Sequence, residues 1–114
     1  MSDTTDASFD VLVYAAKAEA LRAMRKFPQP NYVISKFAEE AGEVVKAAIH
    51  CAEGRESASN VRAEMKQAIA MLYRLWVEGD AVHGLLALAP DQILPDPDFN
   101  ETMRDALYRD GLGK

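Results

Sequence analysis

Apolar residues recur every three or four positions through three long stretches of this chain, which is the spacing of one face of an α-helix. No stretch alternates apolar and polar residues as a half-buried β-strand would. Proline and glycine separate the stretches, and both residues end helices. The pattern therefore predicts an all-α bundle of four or five helices. The predicted helices extend from about Ser8 to Phe27, from Tyr32 to Glu53 and from Ser57 to Glu78, with one or two further turns in 81–88.

The chain is short enough to form a single domain, 1–114, around one modest core. Its polar start, 1–7, is predicted to be disordered. Prolines make 89–99 a Pro-rich loop, and the few apolar residues of 100–110 predict a peripheral C-terminal helix. A short connection after Gly54 predicts that helices two and three are antiparallel neighbours.

Charge and composition restrict the class of function. The hydrophobic content of 49% and the charged content of 27% are ordinary for a globular protein. A net charge of −5 argues against a general nucleic-acid binder, which needs a basic surface. No apolar run reaches the roughly 18 residues of a membrane span, and the acidic N-terminus lacks the basic start of a signal peptide. With a single cysteine, Cys51, no intrachain disulfide is possible, and we expect a cytoplasmic protein.

Acidic residues concentrate in the second and third predicted helices. Glu40 and Glu43 are three positions apart, so both lie on one helical face, where like charges repel. Glu64 falls at the margin of the apolar stripe of helix three, where an unpaired carboxylate is costly. A hard divalent cation would relieve both costs. The alternatives are a solvated acidic face for the pair and a glutamate at the start of its helix, favoured by the helix dipole, for Glu64.

These residues also resemble a known family. The matching residues are Glu39-Glu40-x-x-Glu43 followed by Glu64-x-x-Gln67, within roughly Tyr32 to Asp80. The pattern is similar to the Glu-Glu-x-x-Glu … Glu-x-x-Asp motif of the MazG-like all-α nucleoside triphosphate pyrophosphohydrolases. One position departs from the motif, because Gln67 stands where that family has an aspartate that binds magnesium.

The resemblance implies a reaction and a set of roles. It implies Mg²⁺-dependent hydrolysis, with Mn²⁺ as a substitute, of a ribo- or deoxynucleoside triphosphate to the monophosphate and pyrophosphate. Glu40, Glu43, Glu64 and Gln67 would be the metal ligands, and Glu39 a further ligand or the base that orients water. It also implies a homodimer or homotetramer. The alternative is a catalytically degenerate MazG-like protein that acts as a nucleotide-binding or oligomeric interaction module, and Gln67 separates the two.

Other side chains have open roles. Lys66 and Arg74, placed on the polar side of helix three, could bind phosphate oxygens or be solvated, and Lys36 could bind substrate or pair with Glu40. We predict that His50 and His83 are surface or capping residues and that Trp76 belongs to the core. A second apolar set on helix one indicates that this helix is either buried centrally or shared with another subunit, and we predict a homodimer or homotetramer. That set is Val11, Tyr14, Ala18 and Leu21.

Overall fold

The computed structural model describes residues 3–90, with side chains from residue 7 onward. This part of the chain is helical and contains no strand beyond an isolated bridge between Asp80 and Leu85. Its three helices are α1 (Asp3–Lys26), α2 (Val33–Ala52) and α3 (Ala58–Glu78). The all-α prediction is confirmed, whereas a bundle of four or five helices is not. The predicted C-terminal helix 100–110 and all but the start of the Pro-rich loop 89–99 lie outside the described residues.

The helix boundaries follow local signals. Ser57 accepts a hydrogen bond from the Asn60 N–H through its hydroxyl at 3.0 Å, which caps the start of α3. Gly54 and Gly79 follow α2 and α3 with φ values of 77° and 72°, as expected of glycine beyond a helix end. α1 begins at Asp3, earlier than the predicted start at Ser8, so residues 3–7 are helical.

The third helix is the centre of the fold. Both α1 and α2 pack against α3, and within residues 3–90 no Cα atom of α1 lies within 8 Å of a Cα atom of α2. The α1–α3 contact is built on alanines, because Ala16, Ala20 and Ala70 are buried and Tyr73 packs beside them. The small side chains let α1 and α3 approach closely. α2 packs on another side of α3.

The end of α3 is joined to the start of α2 by a buried carboxylate. Asp80 is fully buried, and its Oδ2 accepts a hydrogen bond from the Ile34 N–H at 2.9 Å. The residue that precedes α2, Tyr32, makes no side-chain cap, and Asn31 donates to the Phe27 carbonyl instead of capping as its position suggests. Because Asp80, two residues after the end of α3, binds the first turn of α2, the two helices are antiparallel, as predicted.

Residues 81–84 form a turn, so the helical turns predicted in 81–88 are wrong. Asp80 and Leu85 exchange backbone hydrogen bonds of 2.8 and 2.9 Å, which closes the turn. A Cβ atom on Gly79 would lie 2.2 Å from the Leu85 carbonyl oxygen, so the chain can return this closely only past a glycine.

Large apolar side chains remain exposed on all three helices. Trp76 is 50% exposed and Leu72 is 49% exposed, so the prediction that Trp76 belongs to the core is wrong. The reason is that α1 and α2 pack on other faces of α3 than the Trp76 face. On α1, Val11 and Tyr14 of the second apolar set are 67% and 77% exposed. None of the described helices has an apolar run long enough to cross a bilayer.

Candidate functional site

Polar residues from α2, from the connection after it and from the start of α3 line one recess of about 130 Å³. The helical spacing explains this, because positions 43, 46, 47 and 50 lie on one face of α2. The antiparallel hairpin then sets that face against the first turns of α3. We call this the polar recess, and its lining residues are Glu43, Lys46, Ala47, His50, Glu56, Asn60 and Glu64.

Glu40 is half-buried beside α3, and its surroundings disfavour its charge. Burial is the largest cause that raises the pKa of Glu40, and the negative charge of Glu64 is the next. Glu39 and Glu43 raise the pKa further, while the Lys36 ammonium lowers it. Glu40 and Glu64 sit on different helices, so the fold gathers acidic side chains that are distant in sequence into one electrostatic group.

The donor chemistry of this acidic group suits a hard divalent cation, because Mg²⁺ prefers carboxylate oxygens. The geometry is not that of a finished metal centre. Among the described residues, no three histidine, cysteine, aspartate or glutamate side chains are grouped closely enough to hold a metal ion. A cation held here would therefore need the glutamate side chains to change rotamer, or further oxygen ligands from a substrate.

The side chain of Gln67 is hydrogen-bonded to α1. Its Nε2 donates to Oε1 of Glu19 at 2.6 Å, and the Lys66 ammonium lies 3.2 Å from Oε2 of the same carboxylate. Burial opposes the charge of Glu19, but the hydrogen bonds from Gln67 and Lys66 and nearby positive charge give a net lowering of its pKa. Lys66 was expected on the polar side of α3, yet its ammonium is committed to this contact between helices.

Arg74 is buried, so its predicted place on the polar side of α3 is wrong. Only 2% of it is exposed. Its Nε donates to the Glu78 carboxylate one turn later, and its Nη2 donates to the Phe27 carbonyl at the end of α1. These partners satisfy a charge that would be costly to bury alone. The described contacts make Arg74 a structural residue that joins α3 to the end of α1.

Sequence reasoning missed several side chains that the fold places near the acidic group. Lys46, Glu56 and Asn60 line the polar recess, and His50, expected as a surface or capping residue, lines it too. Helical spacing could have identified Lys46 and His50, because residues three and seven positions after Glu43 share its face of α2. Glu19 was also missed, although it precedes the buried Ala20 in sequence, and it faces α3 through its contacts with Gln67 and Lys66.

No protein-family model, curated protein or solved structure matches this chain.

Proposed function

We propose that this chain is a divalent-cation-dependent enzyme that hydrolyses a nucleoside triphosphate to the monophosphate and pyrophosphate. One observation carries the proposal: the half-buried Glu40 on α2 belongs to the same acidic group as Glu64 on α3, and burial first and then the charge of Glu64 raise the pKa of Glu40. A fold that holds like charges together at a cost in stability is typical of a site that binds a cation. The resemblance of the acidic motif to MazG-like enzymes supplies the class of substrate.

The roles follow from the side chains. Glu40, Glu43 and Glu64 would hold Mg²⁺ or Mn²⁺, together with phosphate oxygens of the nucleotide. Such a cation, when bound, neutralises phosphate charge and lowers the pKa of a water molecule. Glu39, which is exposed next to Glu40, would orient the water that attacks the α-phosphorus. The nucleotide phosphates would accept hydrogen bonds from three residues of the polar recess, Lys46, His50 and Asn60.

Gln67 supports a second candidate, a degenerate enzyme kept as a nucleotide-binding or oligomeric interaction module. Its amide is engaged with Glu19, so the fourth ligand position of the motif carries no charge and has a structural partner. A site with three carboxylates binds a cation less tightly than one with four, because ligand charge dominates the affinity of hard cations. We therefore expect weak cation binding in the absence of nucleotide.

We also propose that the protein is a homodimer or homotetramer that associates through the second apolar face of α1. Val11, Tyr14 and Leu21 of that face are 67%, 77% and 45% exposed. Contiguous apolar surface of this kind favours association. Sedimentation equilibrium should give a multiple of the 12.6 kDa chain mass, and a monomer at micromolar concentration would contradict this proposal.

The test of the enzyme proposal is pyrophosphate release from a panel of ribo- and deoxynucleoside triphosphates with Mg²⁺ or Mn²⁺. The parent protein should release pyrophosphate, and Glu64→Gln should not. The matched control is Glu53→Gln, which makes the same change at an exposed position outside the polar recess and should keep parental activity.

A second measurement separates the two candidates. Bound cation or nucleotide raises the melting temperature by mass action whether or not hydrolysis follows. A rise with Mg²⁺ plus nucleotide that Glu64→Gln abolishes, without pyrophosphate release by the parent, would replace the enzyme proposal by the binding module. If there is neither release nor a thermal shift, both candidates are wrong.

A further inference from the structure

The α2–α3 hairpin carries an apolar surface that shares no lining residue with the polar recess. An open groove of about 420 Å³ lies where α2 ends and α3 begins, and it is lined by Ala48, Cys51, Ala52, Ala58, Val61 and Arg62. Val45 and Ile49 share the groove side of α2 by helical spacing and are 59% and 53% exposed. We call the groove, these two neighbours and the α3 stripe described next the hairpin apolar face.

The α3 part of this face is a stripe that is symmetric about its own midpoint. Val61, Met65, Leu72 and Trp76 share one side of α3 by helical spacing. Positions 61 and 76 have the same midpoint in the sequence as positions 65 and 72. Two copies of α3 that pack antiparallel about this midpoint therefore set Trp76 against Val61 and Leu72 against Met65, twice over, as a two-fold axis requires.

The two ends of the stripe are complementary in shape. Trp76 is a large side chain, 50% exposed, at one end, and the groove lies beside Val61 at the other end. Antiparallel packing brings the Trp76 of each copy to the groove of its partner. Arg62 lines that groove, and a guanidinium over an indole ring adds a cation–π attraction. Tryptophan and arginine are also enriched among the residues that dominate binding energy at interfaces.

The charge of the face favours a second copy over other occupants. Arg62 is the only charged residue among those that form the face, so the surface offers no carboxylate to a basic partner and a single cation to an acidic one. A face that binds its own copy must avoid setting like charges against each other. The antiparallel register keeps the two Arg62 positions roughly 20 Å apart along α3, which exceeds the Debye length of about 8 Å.

The size of the face suits a dimer of modest affinity. The stripe is about 22 Å long from Val61 to Trp76, and two packed helices are about 20 Å wide. Two such faces together cover about 900 Å², which is close to the roughly 1,000 Å² that a specific interface needs. An interface of this size should dissociate on dilution, and this makes it measurable.

We propose that the hairpin apolar face binds the same face of a second copy, with the two α3 helices antiparallel and the Trp76 of each copy in the groove of the other. This interface is separate from the one proposed on α1. If both interfaces form, four chains assemble, and loss of either one leaves a dimer. The interface does not depend on the proposed enzymatic activity, because the groove and the polar recess have different lining residues.

Trp76 is the only tryptophan of the chain, so its emission reports on this interface in the unmodified protein. As the concentration of the protein rises from the nanomolar to the high micromolar range, the emission should shift to the blue and acrylamide should quench it less. Leu72→Glu places a carboxylate on the stripe and should abolish both changes. Because Leu72 is 49% exposed, the helical circular dichroism signal of this variant should persist.

The matched control is Tyr14→Glu, which places the same carboxylate on the exposed apolar face of α1 and should keep the concentration-dependent shift of Trp76. Arg62→Gln tests the register. It should raise the dissociation constant about five- to thirtyfold, because a symmetric dimer loses two cation–π contacts. Arg62→Lys keeps the cation and should lose less affinity.

Three results would overturn the proposal. The first is a Trp76 emission that does not change with protein concentration, and the second is a shift that survives Leu72→Glu. The third is a shift that Tyr14→Glu abolishes, which would assign the association to α1 alone. An unchanged dissociation constant in Arg62→Gln would contradict the antiparallel register.

Discussion

The side chain of Gln67 on α3 donates a hydrogen bond of 2.6 Å to the carboxylate of Glu19 on α1. The position where the MazG-like motif has a metal-binding aspartate is thus part of the contact between two helices. An aspartate or glutamate at this position would place a second negative charge against Glu19. The packing of α1 on α3 therefore favours an uncharged hydrogen-bond donor at position 67.

The first prediction tests this pair. Gln67→Glu replaces the amide donor by a carboxylate, so it should lower the free energy of unfolding by about 1–3 kcal/mol. Exchanging the two side chains, Glu19→Gln with Gln67→Glu, restores one donor and one acceptor and should recover most of the loss. Urea unfolding of the parent, both single variants and the double variant gives the coupling energy. A coupling energy of zero would show that the hydrogen bond contributes nothing.

The second prediction concerns Glu40 and pH. The folded protein raises the pKa of Glu40 above its ordinary value of 4.5, so the ionised carboxylate destabilises the fold at neutral pH. Glu40→Gln should therefore raise the melting temperature of the cation-free protein at pH 7. The gain should disappear as the pH falls below 4.5, where Glu40 is protonated in both states. A variant that is less stable than the parent at pH 7 would contradict the raised pKa.

The third prediction concerns Asp80, whose pKa is lowered by folding whereas that of Glu40 is raised. The Ile34 N–H is the largest cause that lowers the pKa of Asp80, burial opposes it, and His83 lowers it further. Ionised Asp80 therefore stabilises the fold at neutral pH, and this stability is lost as the pH falls through its lowered pKa. Asp80→Asn should unfold at lower urea concentration than the parent at pH 7. The two midpoints should converge in acid, and a difference that grows in acid would refute the assignment.

Two glycines allow a matched fourth prediction. Gly79→Ala must accept a positive φ and a Cβ at 2.2 Å from the Leu85 carbonyl oxygen, so it should cost about 2 kcal/mol or more. Gly42→Ala lies in the interior of α2 with nothing within 4 Å of the new Cβ, so it should stabilise by about 0.5–1 kcal/mol. Thermal unfolding of both variants checks the pair, and equal effects would show that the turn after α3 is not restrictive.

Local signals in the sequence were sufficient to predict α2 and α3, whereas α1 begins at Asp3 and not at the predicted Ser8. Helical periodicity together with Pro28, Pro30, Gly54 and Gly79 located α2 and α3 to within a residue or two at each end. The antiparallel hairpin followed from a short connection. The error at 81–88 arose because two apolar turns of helix and a tight turn have similar composition. The turn is favoured by the positive φ of Gly79 and by the buried Asp80, which helical periodicity does not reveal.

Packing partners were harder to predict. The apolar stripe of α3 is wide, and the sequence does not specify which part of it faces α1, α2 or neither. Trp76 was therefore assigned to the core although half of it is exposed, and Arg74 was assigned to the polar side although it is buried. Each outcome depends on a distant group, the Phe27 carbonyl in the case of Arg74, that helical periodicity does not reveal.

In the described part of the chain, α1 and α2 are joined by residues 27–32, and otherwise they are linked through α3, which packs against both. Glu64, Lys66 and Gln67 lie within one turn of that single rigid helix, the first toward α2 and the other two toward α1. A rotation of α3 that draws Glu64 toward Glu40 must also displace Lys66 and Gln67 relative to Glu19. The contacts between α1 and α3 therefore oppose closure of the acidic group. Substitutions at Glu19, which does not line the polar recess, should change how strongly these contacts oppose it.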